Sequence, residues 1–524
     1  MAIFNNIKMA CWGSGHLFVV LLLCSTLAET SITERTFSGH SDDKICMADE
    51  TSNFRSFDAI AGRSKGNGTG RLLVVPMDGS HWTTVKAVAE EMGRRGHTVL
   101  VLMPEVRMRL DFGKQYMSKT FPVPYTKDLF TQLSKSSQQM IGSTAGLMER
   151  ISWKLKHLRE IMNLISSTTE SLLFNSELVE FLRKQEFDAV LTDPVMPTGA
   201  ILAYNLSLPA IYMLRGLPCG MDAIATACPD PPSYVPRFFT KHTDCMCFSE
   251  RVLNVMVYLL EPVMCKILYW WFDDVASRFL QRSISMTEIL STAAVWLLRY
   301  DFTLEFPKPL APNTVLIAGL NCAVTKPLDP VLWRYAGEVP QDIPENVKLM
   351  EWIPQNDLLG HPKAKAFITH GGSHGIYEGI CHAVPMVMIP LFGDQGDNVQ
   401  RLVSRGVGVA VNFYDISADV LVNALDAVIN DSSYKEKMMK LSALHHDQPI
   451  NPLDLAVYWT EYVMRHKGAE HLRSAAHNLN WFQFYSLDVF GFLLVVMVIV
   501  ARVMMKCCML GLICCRNLQK RKEK

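Results

Sequence analysis

Short apolar runs, often with β-branched residues, alternate along this chain with glycine-rich or acidic loops and with segments of helical spacing. These runs lie at residues 71–76, 98–103, 187–192, 366–369 and 385–390. Apolar runs of this length without polar alternation are typical of strands buried on both faces. Segments of helical spacing follow at residues 83–96, 376–382 and 399–405. Repeated strand–loop–helix units predict an α/β fold with parallel sheets.

Longer stretches of helical pattern occupy much of the remaining chain. They lie at residues 132–185, 252–279, 417–430, 433–444 and 452–467. The aromatic stretch 252–279 has two equal interpretations, a lipophilic wall beside a substrate or ordinary packing. His445-His446, at the end of one helical stretch, is expected to form a solvated turn.

An apolar segment lies near each end of the chain. Residues 1–28 have the pattern of a secretory signal peptide, with Lys8, an apolar run and the small-residue ending Thr26-Leu27-Ala28. Residues 487–506 predict a transmembrane helix, since roughly 17–25 apolar residues span a bilayer. The basic residues of 507–524 then predict a cytoplasmic tail by the positive-inside rule. The topology is single-pass type I with a luminal body, and Lys520 and Lys522 resemble an endoplasmic-reticulum retrieval signal.

Charge and cysteine content narrow the classes of function. The 524 residues carry 51 basic and 51 acidic side chains, so the formal net charge is zero and no basic stripe suggests nucleic acid as a partner. An oxidising lumen permits disulfides among the 14 cysteines, but the sequence assigns no pairs. Asn67 and Asn430 stand in glycosylation sequons in loop-like sequence.

Residues 351–401 carry the densest candidate chemistry. The strand at 366–369 runs through His370-Gly371-Gly372-Ser373-His374-Gly375 into a helix. Backbone N–H groups and the helix dipole at such a helix start favour phosphate. The loop at 391–398 follows the next strand, so both loops point at one crevice at the carboxyl ends of the strands.

This stretch resembles the signature of nucleotide-sugar-dependent glycosyltransferases, and most closely that of animal UDP-glucuronosyltransferases of family one. The resemblance is carried by Trp352, Pro354, Gln355, His361, Pro362, Thr369, His370, Gly371, Gly372, Ser373, His374, Gly375, Glu378, Pro385, Pro390, Asp394 and Gln395. It implies that Trp352 stacks on uracil and that Gln355 and Glu378 bind the base and ribose. It further implies that the residues from His370 to Gly375 face the diphosphate, and that Asp394 and Gln395 hold sugar hydroxyls.

A second group of candidate catalytic residues lies in the first half of the chain. His81 follows the first strand and Asp193 follows the strand at 187–192. Both therefore stand at carboxyl ends of strands and can meet above one sheet. A histidine oriented by a carboxylate suits the removal of a proton from an acceptor hydroxyl. The resemblance supports this, since Asp78-Gly79-Ser80-His81-Trp82 and Leu191-Thr192-Asp193-Pro194 match the family's catalytic positions.

The resemblance fails in one segment. A βα unit takes roughly 30 or more residues with its crossover, and residues 321–330 cannot contain the unit that opens the family's donor domain. The chain is predicted to lack this first βα unit, as an exon-skipped variant would. Arg334 matches a family residue that contacts the diphosphate or sugar. Without the missing unit, Arg334 is expected to lie away from that position.

The resemblance implies two Rossmann-like domains facing across a cleft, the GT-B glycosyltransferase fold. The expected acceptor domain is 29–320 and the expected UDP-sugar domain is 321–480. The expected enzyme is an inverting UDP-glucuronosyltransferase of the endoplasmic-reticulum membrane that conjugates small lipophilic compounds, including xenobiotics. It needs no cofactor or metal beyond UDP-glucuronic acid as co-substrate, and Asp273-Asp274 lacks the Asp-x-Asp form of metal-dependent relatives. The alternative is an impaired chain that acts as a non-catalytic membrane partner in homo- or hetero-oligomers with active relatives.

Overall fold

The structure is a computed structural model of the full chain. It describes residues 69–129, 147–320, 322, 332–334, 348–350, 353–391 and 393–522. The predicted signal peptide, Asn67, Trp352 and most of the predicted linker at 321–330 lie outside the described residues. The chain divides into two units, of which the first ends at Leu472 and the second begins at Arg473.

A seven-stranded parallel sheet organises the first half of the chain. Its strands are β1 (Arg71–Val75), β2 (Thr98–Pro104), β3 (Met117–Phe121), β4 (Ala189–Thr192), β5 (Ala210–Leu214), β6 (Val295–Leu298) and β7 (Thr314–Leu316). The spatial order is β3-β2-β1-β4-β5-β6-β7, so the winding direction reverses between β1 and β4. Ligands of open α/β sheets bind at such a switch point, beyond the carboxyl ends of the strands.

Helices cover both faces of this sheet. They are α1 (Ser80–Arg94), α2 (Leu147–Leu173), α3 (Ser176–Lys184), α4 (Thr198–Asn205), α5 (Met221–Thr226), α6 (Phe248–Leu280) and α7 (Met286–Leu290). In α1 the buried residues Trp82, Val85, Val88 and Met92 recur at helical spacing and pack against one face of the sheet. Alternate residues of β1 enter two separate cores, because successive side chains of a strand point to opposite faces.

The second half begins with two short parallel strands, β8 (Leu332–Arg334) and β9 (Lys348–Met350), which pair with each other. A separate parallel sheet has the order β10 (Phe367–Thr369), β11 (Met386–Met388) and β12 (Gly408–Ala410). Its helices are α8 (Gln355–Leu359), α9 (Ser373–Cys381), α10 (Gln395–Ser404), α11 (Ala418–Asn430), α12 (Ser432–His446) and α13 (Pro452–His466). Among the described residues, the strands of this half thus form two sheets.

Helix α13 returns to the first sheet. Its buried residues Ala456, Val457, Val463 and Met464 belong to the same core as α1 and the face of β1 that carries Leu72 and Val74. Burial of such side chains contributes roughly 25 cal/mol per Å² of apolar area. The last helix of the first unit therefore contributes to the core of the N-terminal sheet.

The α/β class with parallel sheets is confirmed, and so are most of the predicted elements. Three helix starts were predicted too late: α1 begins at Ser80 instead of residue 83, α9 at Ser373 instead of 376, and α10 at Gln395 instead of 399. The carbonyl of Asp394 accepts from the N–H of Asn398 (2.9 Å) and closes the first turn. The side-chain oxygen of Gln395 also accepts from the Leu391 N–H (2.8 Å), which holds Leu391 close to the start of α10.

Two disulfides are present in the described part, Cys219–Cys265 and Cys322–Cys381. The expectation of a solvated His445 was wrong, because this side chain is 3% exposed and its Nδ1 lies 2.6 Å from Asp301 Oδ2. Cys322, Cys381 and His445 are also close enough together to be potential metal ligands, although here the two cysteines are bonded to each other.

The second unit consists of short helical turns, α14 (Trp481–Phe484) and the long helix α15 (Leu487–Lys522). Residues Leu487–Ile513 of α15 form a candidate membrane span with exposed apolar side chains. The predicted transmembrane segment is therefore helical, and the helix continues beyond residue 506 through most of the predicted tail.

Candidate active site

His81 and Asp193 are brought together at the switch point of the first sheet. His81 lies in the first turn of α1, directly after β1, and Asp193 follows β4. The Nδ1 atom of His81 lies 2.6 Å from Oδ2 of Asp193, which is 1% exposed. The N–H of Val195 donates to the other carboxylate oxygen (3.0 Å) and holds it in place. With Nδ1–H donating to Asp193, Nε2 of His81 carries the lone pair that can accept a proton.

A pocket separates this pair from the glycine-rich turn of the second half. His81 lines one wall, and His370, Gly372, Ser373, His374 and Gly375 line the other. These residues join β10 to α9, whose first N–H groups have no partner within the helix. The start of α9 therefore presents positive partial charge to the pocket.

Gly371 is required by the path of this turn. Its φ of +83° is unfavourable for residues with a side chain, and a Cβ would lie 2.7 Å from a methyl carbon of Val399. The buried amide of Asn398 donates to the Gly371 carbonyl (3.1 Å). Helix α10 thus holds the turn in position from behind.

Arg299 connects the two walls of the pocket. It follows β6 directly, is 7% exposed, and its Nη2 lies 3.4 Å from Nδ1 of His81. Its Nη1–H donates to Nε2 of His374 (2.7 Å). Burial, and then the Arg299 cation, lower the pKa of His374 well below its usual range. His374 is therefore neutral near pH 7, with Nε2 as an acceptor.

A buried ion network lies beside the pocket. Arg215 follows β5 and pairs with Glu305, with Asp394 (Nε to Oδ2, 3.2 Å) and with the side-chain oxygen of Asn398 (2.6 Å). Glu305 also pairs with Arg401 (3.0 Å). Residues from both halves of the chain thus form one network, and Asp394, expected to bind sugar hydroxyls, contacts Arg215.

Replacing Arg215 by methionine is expected to lower the free energy of unfolding by about 1.5–3 kcal/mol, because the buried Glu305 loses one of its two arginine partners. Denaturant titration followed by tryptophan fluorescence measures the change. The matched variant Arg183→Met removes an exposed arginine and should stay within about 0.5 kcal/mol. Equal losses of unfolding free energy in Arg215→Met and Arg183→Met would contradict a stabilising role for the ion pairs of Arg215.

The same network predicts an acid dependence. Burial raises the pKa of Glu305, but Arg401 and Arg215 outweigh burial and lower it to about 2, from 4.5. The stabilisation by ionised Glu305 is thus complete above about pH 4.5 and is lost as the pH falls towards 2. We expect the Glu305→Gln variant to lack the loss of stability that Glu305 contributes between about pH 4.5 and 2. Measurements of the unfolding free energy at a series of pH values test this.

Two of the predicted nucleoside contacts lie side by side. The side-chain amide of Gln355 donates to Oε2 of Glu378 (2.6 Å), which places the start of α8 against α9. The buried Gln395 lines the pocket with Asp394. Arg334 ends β8, and its side chain, like Trp352, lies outside the described part.

The remaining wall of the pocket belongs to the first half and is mainly apolar. It contains Val195, Gly216, Pro218, Phe238 and Phe239. Helix α10 fixes this loop, since the buried Asp397 accepts from the N–H groups of Phe239 (2.9 Å) and Lys241 (3.1 Å). An apolar wall opposite a polar, phosphate-favouring turn suits two substrates of different polarity.

Outside the pocket, the predicted glycosylation residue Asn430 ends α11. It is exposed, and its sequon continues into the start of α12.

Sequence reasoning missed Arg215, Arg299, Asn398 and Asp397. The two arginines each follow directly on an apolar strand, Leu214 and Leu298 being the last residues of β5 and β6. A charged residue at that position marks the ligand edge of a parallel sheet, and this signal could have found them. Asn398 and Asp397 lie in the segment expected to be a loop and gave no such signal.

Comparisons with known proteins identify sequences and structures that are similar to this chain. The family model for UDP-glucoronosyl and UDP-glucosyl transferases matches residues 70–330 and 329–523. The two matched segments meet where the missing βα unit was predicted. UDP-glucuronosyltransferase 1A5 of Rattus norvegicus is 44% identical over 486 residues, covering 84% of this chain and 92% of the relative. UDP-glucuronosyltransferase 1A6 of Homo sapiens is 43% identical with 84% and 91% coverage. Among solved structures, the glycosyltransferase of kitacinnamycin is similar, with a TM-score of 0.48, 15% identity, and coverage of 76% of this chain and 99% of that one.

Proposed function

Because this chain belongs to the family of UDP-glucoronosyl and UDP-glucosyl transferases, we propose that it transfers glucuronic acid from UDP-glucuronate to small lipophilic acceptors. The acceptor group is a hydroxyl or a similar nucleophile. The observation that carries the proposal is the His81–Asp193 pair (2.6 Å), in which His81 lines the same pocket as the glycine-rich start of α9.

In the proposed reaction His81 acts as general base. Its Nε2 takes the proton of the acceptor hydroxyl while the acceptor oxygen attacks the anomeric carbon of the sugar. Asp193 holds the imidazole in the required tautomer and stabilises the imidazolium that forms. The bond from the anomeric carbon to the diphosphate breaks, UDP leaves with its electron pair, and the configuration inverts.

The leaving diphosphate is stabilised at the start of α9. Charge develops on its oxygen as the bond breaks, and fixed N–H groups aimed at that charge need no reorganisation. The glycines permit close approach of the backbone, and Arg299 adds a cation beside His374. This arrangement supplies the stabilisation from the chain's own residues, so the proposed mechanism is metal-independent.

Donor recognition is assigned to the residues of the second half. Trp352 stacks on the uracil, Gln355 and Glu378 bind the nucleoside, and Arg334, Asp394 and Gln395 bind the diphosphate or sugar. The contact between Gln355 and Glu378 supports their joint role, since it orients both side chains. The apolar wall with Phe238 and Phe239 receives the acceptor.

The proposed location is the endoplasmic-reticulum membrane, with the catalytic part in the lumen. The candidate span in α15 supports membrane attachment. The disulfide Cys219–Cys265 supports an oxidising compartment. Cleavage of residues 1–28 and glycosylation at Asn67 and Asn430 belong to the same proposal.

A second candidate function follows from the missing βα unit. The separate pairing of β8 with β9, apart from β10–β12, favours a chain with impaired donor binding. Such a chain would act as a non-catalytic membrane partner of active relatives. Its sheet edges would carry N–H and C=O groups that a complete domain pairs.

Turnover separates the two candidates. Membranes containing the chain are incubated with UDP-glucuronate and a simple phenol, and the glucuronide is quantified beside a family member with the complete donor domain. Turnover above that of mock membranes supports transfer by this chain. Absence of turnover, together with weak UDP binding by calorimetry, supports the non-catalytic partner.

A further inference from the structure

The disulfide Cys322–Cys381 joins the two halves of the chain by a covalent bond. Cys322 lies just after Leu320, where the predicted acceptor domain ends, and Cys381 is the last residue of α9. Cys322 is partly exposed, whereas Cys381 is buried. The first residues of α9 line the pocket. The bond is therefore accessible from one side and is connected to the candidate active site through a single helix.

A histidine faces this disulfide. His445 of α12 is buried, and its Nε2 atom lies 3.7 Å from Sγ of Cys322. The Sγ atom of Cys381 lies within 4.8 Å of a nitrogen of the same imidazole. Gly319 makes room for this contact, since its φ is +85° and a Cβ there would lie 2.6 Å from Nε2 of His445. The chain thus holds an imidazole against both sulfur atoms.

A carboxylate orients this imidazole. Nδ1 of His445 lies 2.6 Å from Oδ2 of Asp301. The other carboxylate oxygen accepts from the hydroxyl of Thr303 (2.5 Å) and from the N–H of Leu304 (3.3 Å). Burial acts to raise the pKa of Asp301, but His445 and these hydrogen bonds outweigh burial and lower that pKa. With Nδ1–H of His445 donating to the ionised carboxylate, Nε2 is the nitrogen that can exchange a proton at the sulfur atoms.

We propose that Cys322–Cys381 is a redox-active disulfide, which exchanges with small thiols such as glutathione and uses His445 as its proton carrier. A disulfide with a purely structural role needs only its two cysteines. Exchange needs more, because the thiolate is the attacking species and the sulfur that leaves must be stabilised. The oriented imidazole meets both needs.

Exchange takes place in two steps. In the first step, the incoming thiol gives its proton to Nε2 of His445, and its sulfur attacks Sγ of Cys322, the more accessible end. The S–S bond breaks, and Cys381 leaves with the electron pair and takes the proton from Nε2. In the second step, another thiol attacks the small-molecule sulfur of the mixed disulfide and releases Cys322 as a thiol. The disulfide of the chain is then reduced to two thiols, and two small thiols are oxidised to one disulfide.

Reduction would change how α9 is held. Without the bond, the end of α9 is held by non-covalent contacts, such as the carbonyl of Cys381 with the hydroxyl of Ser442 (3.1 Å) and with Nε2 of His446 (2.9 Å). Because the start of α9 is assigned to the diphosphate, donor binding would respond to the redox state. This consequence rests on the proposed function, whereas the exchange reaction does not.

The test measures the exchange itself and requires no transferase activity. The full chain in phosphatidylcholine nanodiscs is incubated with reduced glutathione, and samples are quenched with acid at a series of times. Free thiols are alkylated, and mass spectrometry gives the rate of reduction of each disulfide. The buried disulfide Cys219–Cys265 is the reference within the same chain. We expect Cys322–Cys381 to be reduced at least about tenfold faster than Cys219–Cys265.

Two variants test the role of the imidazole. His445→Gln should slow the reduction of Cys322–Cys381 about tenfold, because the proton carrier is lost. Asp301→Asn should slow it severalfold, because an amide no longer fixes the tautomer of His445. The matched control is His446→Gln, which alters the adjacent histidine, whose Nε2 contacts a backbone carbonyl, and it should leave the rate unchanged. The rate at Cys219–Cys265 in each sample shows whether the variant is folded.

Two results would overturn the proposal. Equal rates of reduction at the two disulfides of the unaltered chain mean that Cys322–Cys381 has no special reactivity. An unchanged or faster rate at Cys322–Cys381 in both His445→Gln and Asp301→Asn, with the rate at Cys219–Cys265 constant, means that His445 only packs against a structural disulfide.

Discussion

Replacing His81 by glutamine is expected to lower the turnover number for glucuronyl transfer about 10²- to 10⁴-fold, the range typical of a lost general base. Glutamine keeps a polar side chain near Asp193 but cannot take a proton at neutral pH. The Michaelis constant for the donor should change little, because the proposed mechanism assigns His81 to the acceptor hydroxyl. Initial rates at saturating UDP-glucuronate measure the effect.

Two further variants test the cause. Asp193→Asn should reduce turnover over a similar range, since an amide no longer favours the required tautomer of His81. His466→Gln alters an exposed histidine of α13 and should leave turnover unchanged. If His81→Gln retains the full rate with an unactivated phenol, another group removes the proton and the proposed mechanism is wrong.

The sheet and the meeting of His81 with Asp193 were predictable because they follow from topology. Apolar runs in the sequence predicted the strands β1 and β4. In a parallel sheet, the residues at the carboxyl ends of neighbouring strands lie at the same edge. The missing unit was predicted from the resemblance to the family, because the segment at 321–330 is shorter than the minimum length of the βα crossover expected there. Strand patterns were sufficient to predict the position of a candidate residue that follows directly on a strand.

The interactions between the two halves of the chain were not predictable in this way. Arg299 lies 218 residues after His81, and its contacts with His81 and His374 depend on how the halves pack. The same holds for Arg215, whose partners Glu305 and Asn398 are 90 and 183 residues away. A sequence shows which side chains are charged, whereas the partner of each is decided by long-range packing.

These long-range contacts also connect the first half of the chain to the second half energetically. Arg215 and Asn398 join the strand end of β5 to the turn at Gly371. A change in the glycine-rich turn would therefore reach the apolar wall of the pocket through directional hydrogen bonds and ion pairs. Such networks have few alternative arrangements, because each buried charge needs its partners.

Restoring the missing βα unit is expected to strengthen UDP binding about 10- to 100-fold. The resemblance implies that this unit carries a glycine- and serine-containing loop at the diphosphate, and a hydrogen bond to a charged group contributes about 1.5–3 kcal/mol. It would also supply pairing partners to the strand edges of β8 to β10. The insertion is placed between Leu320 and Val331, with the unit taken from a family member.

Calorimetry with UDP measures the change, and a glycine–serine insertion of equal length is the matched control. That control closes the same gap in length without a strand, a helix or phosphate contacts, so it should bind UDP no better than the unaltered chain. Equal affinity in all three chains would mean that the donor site is complete without the unit. Since the sheet of the second half is divided in the described residues, we expect only the true unit to raise affinity, and turnover to rise with it.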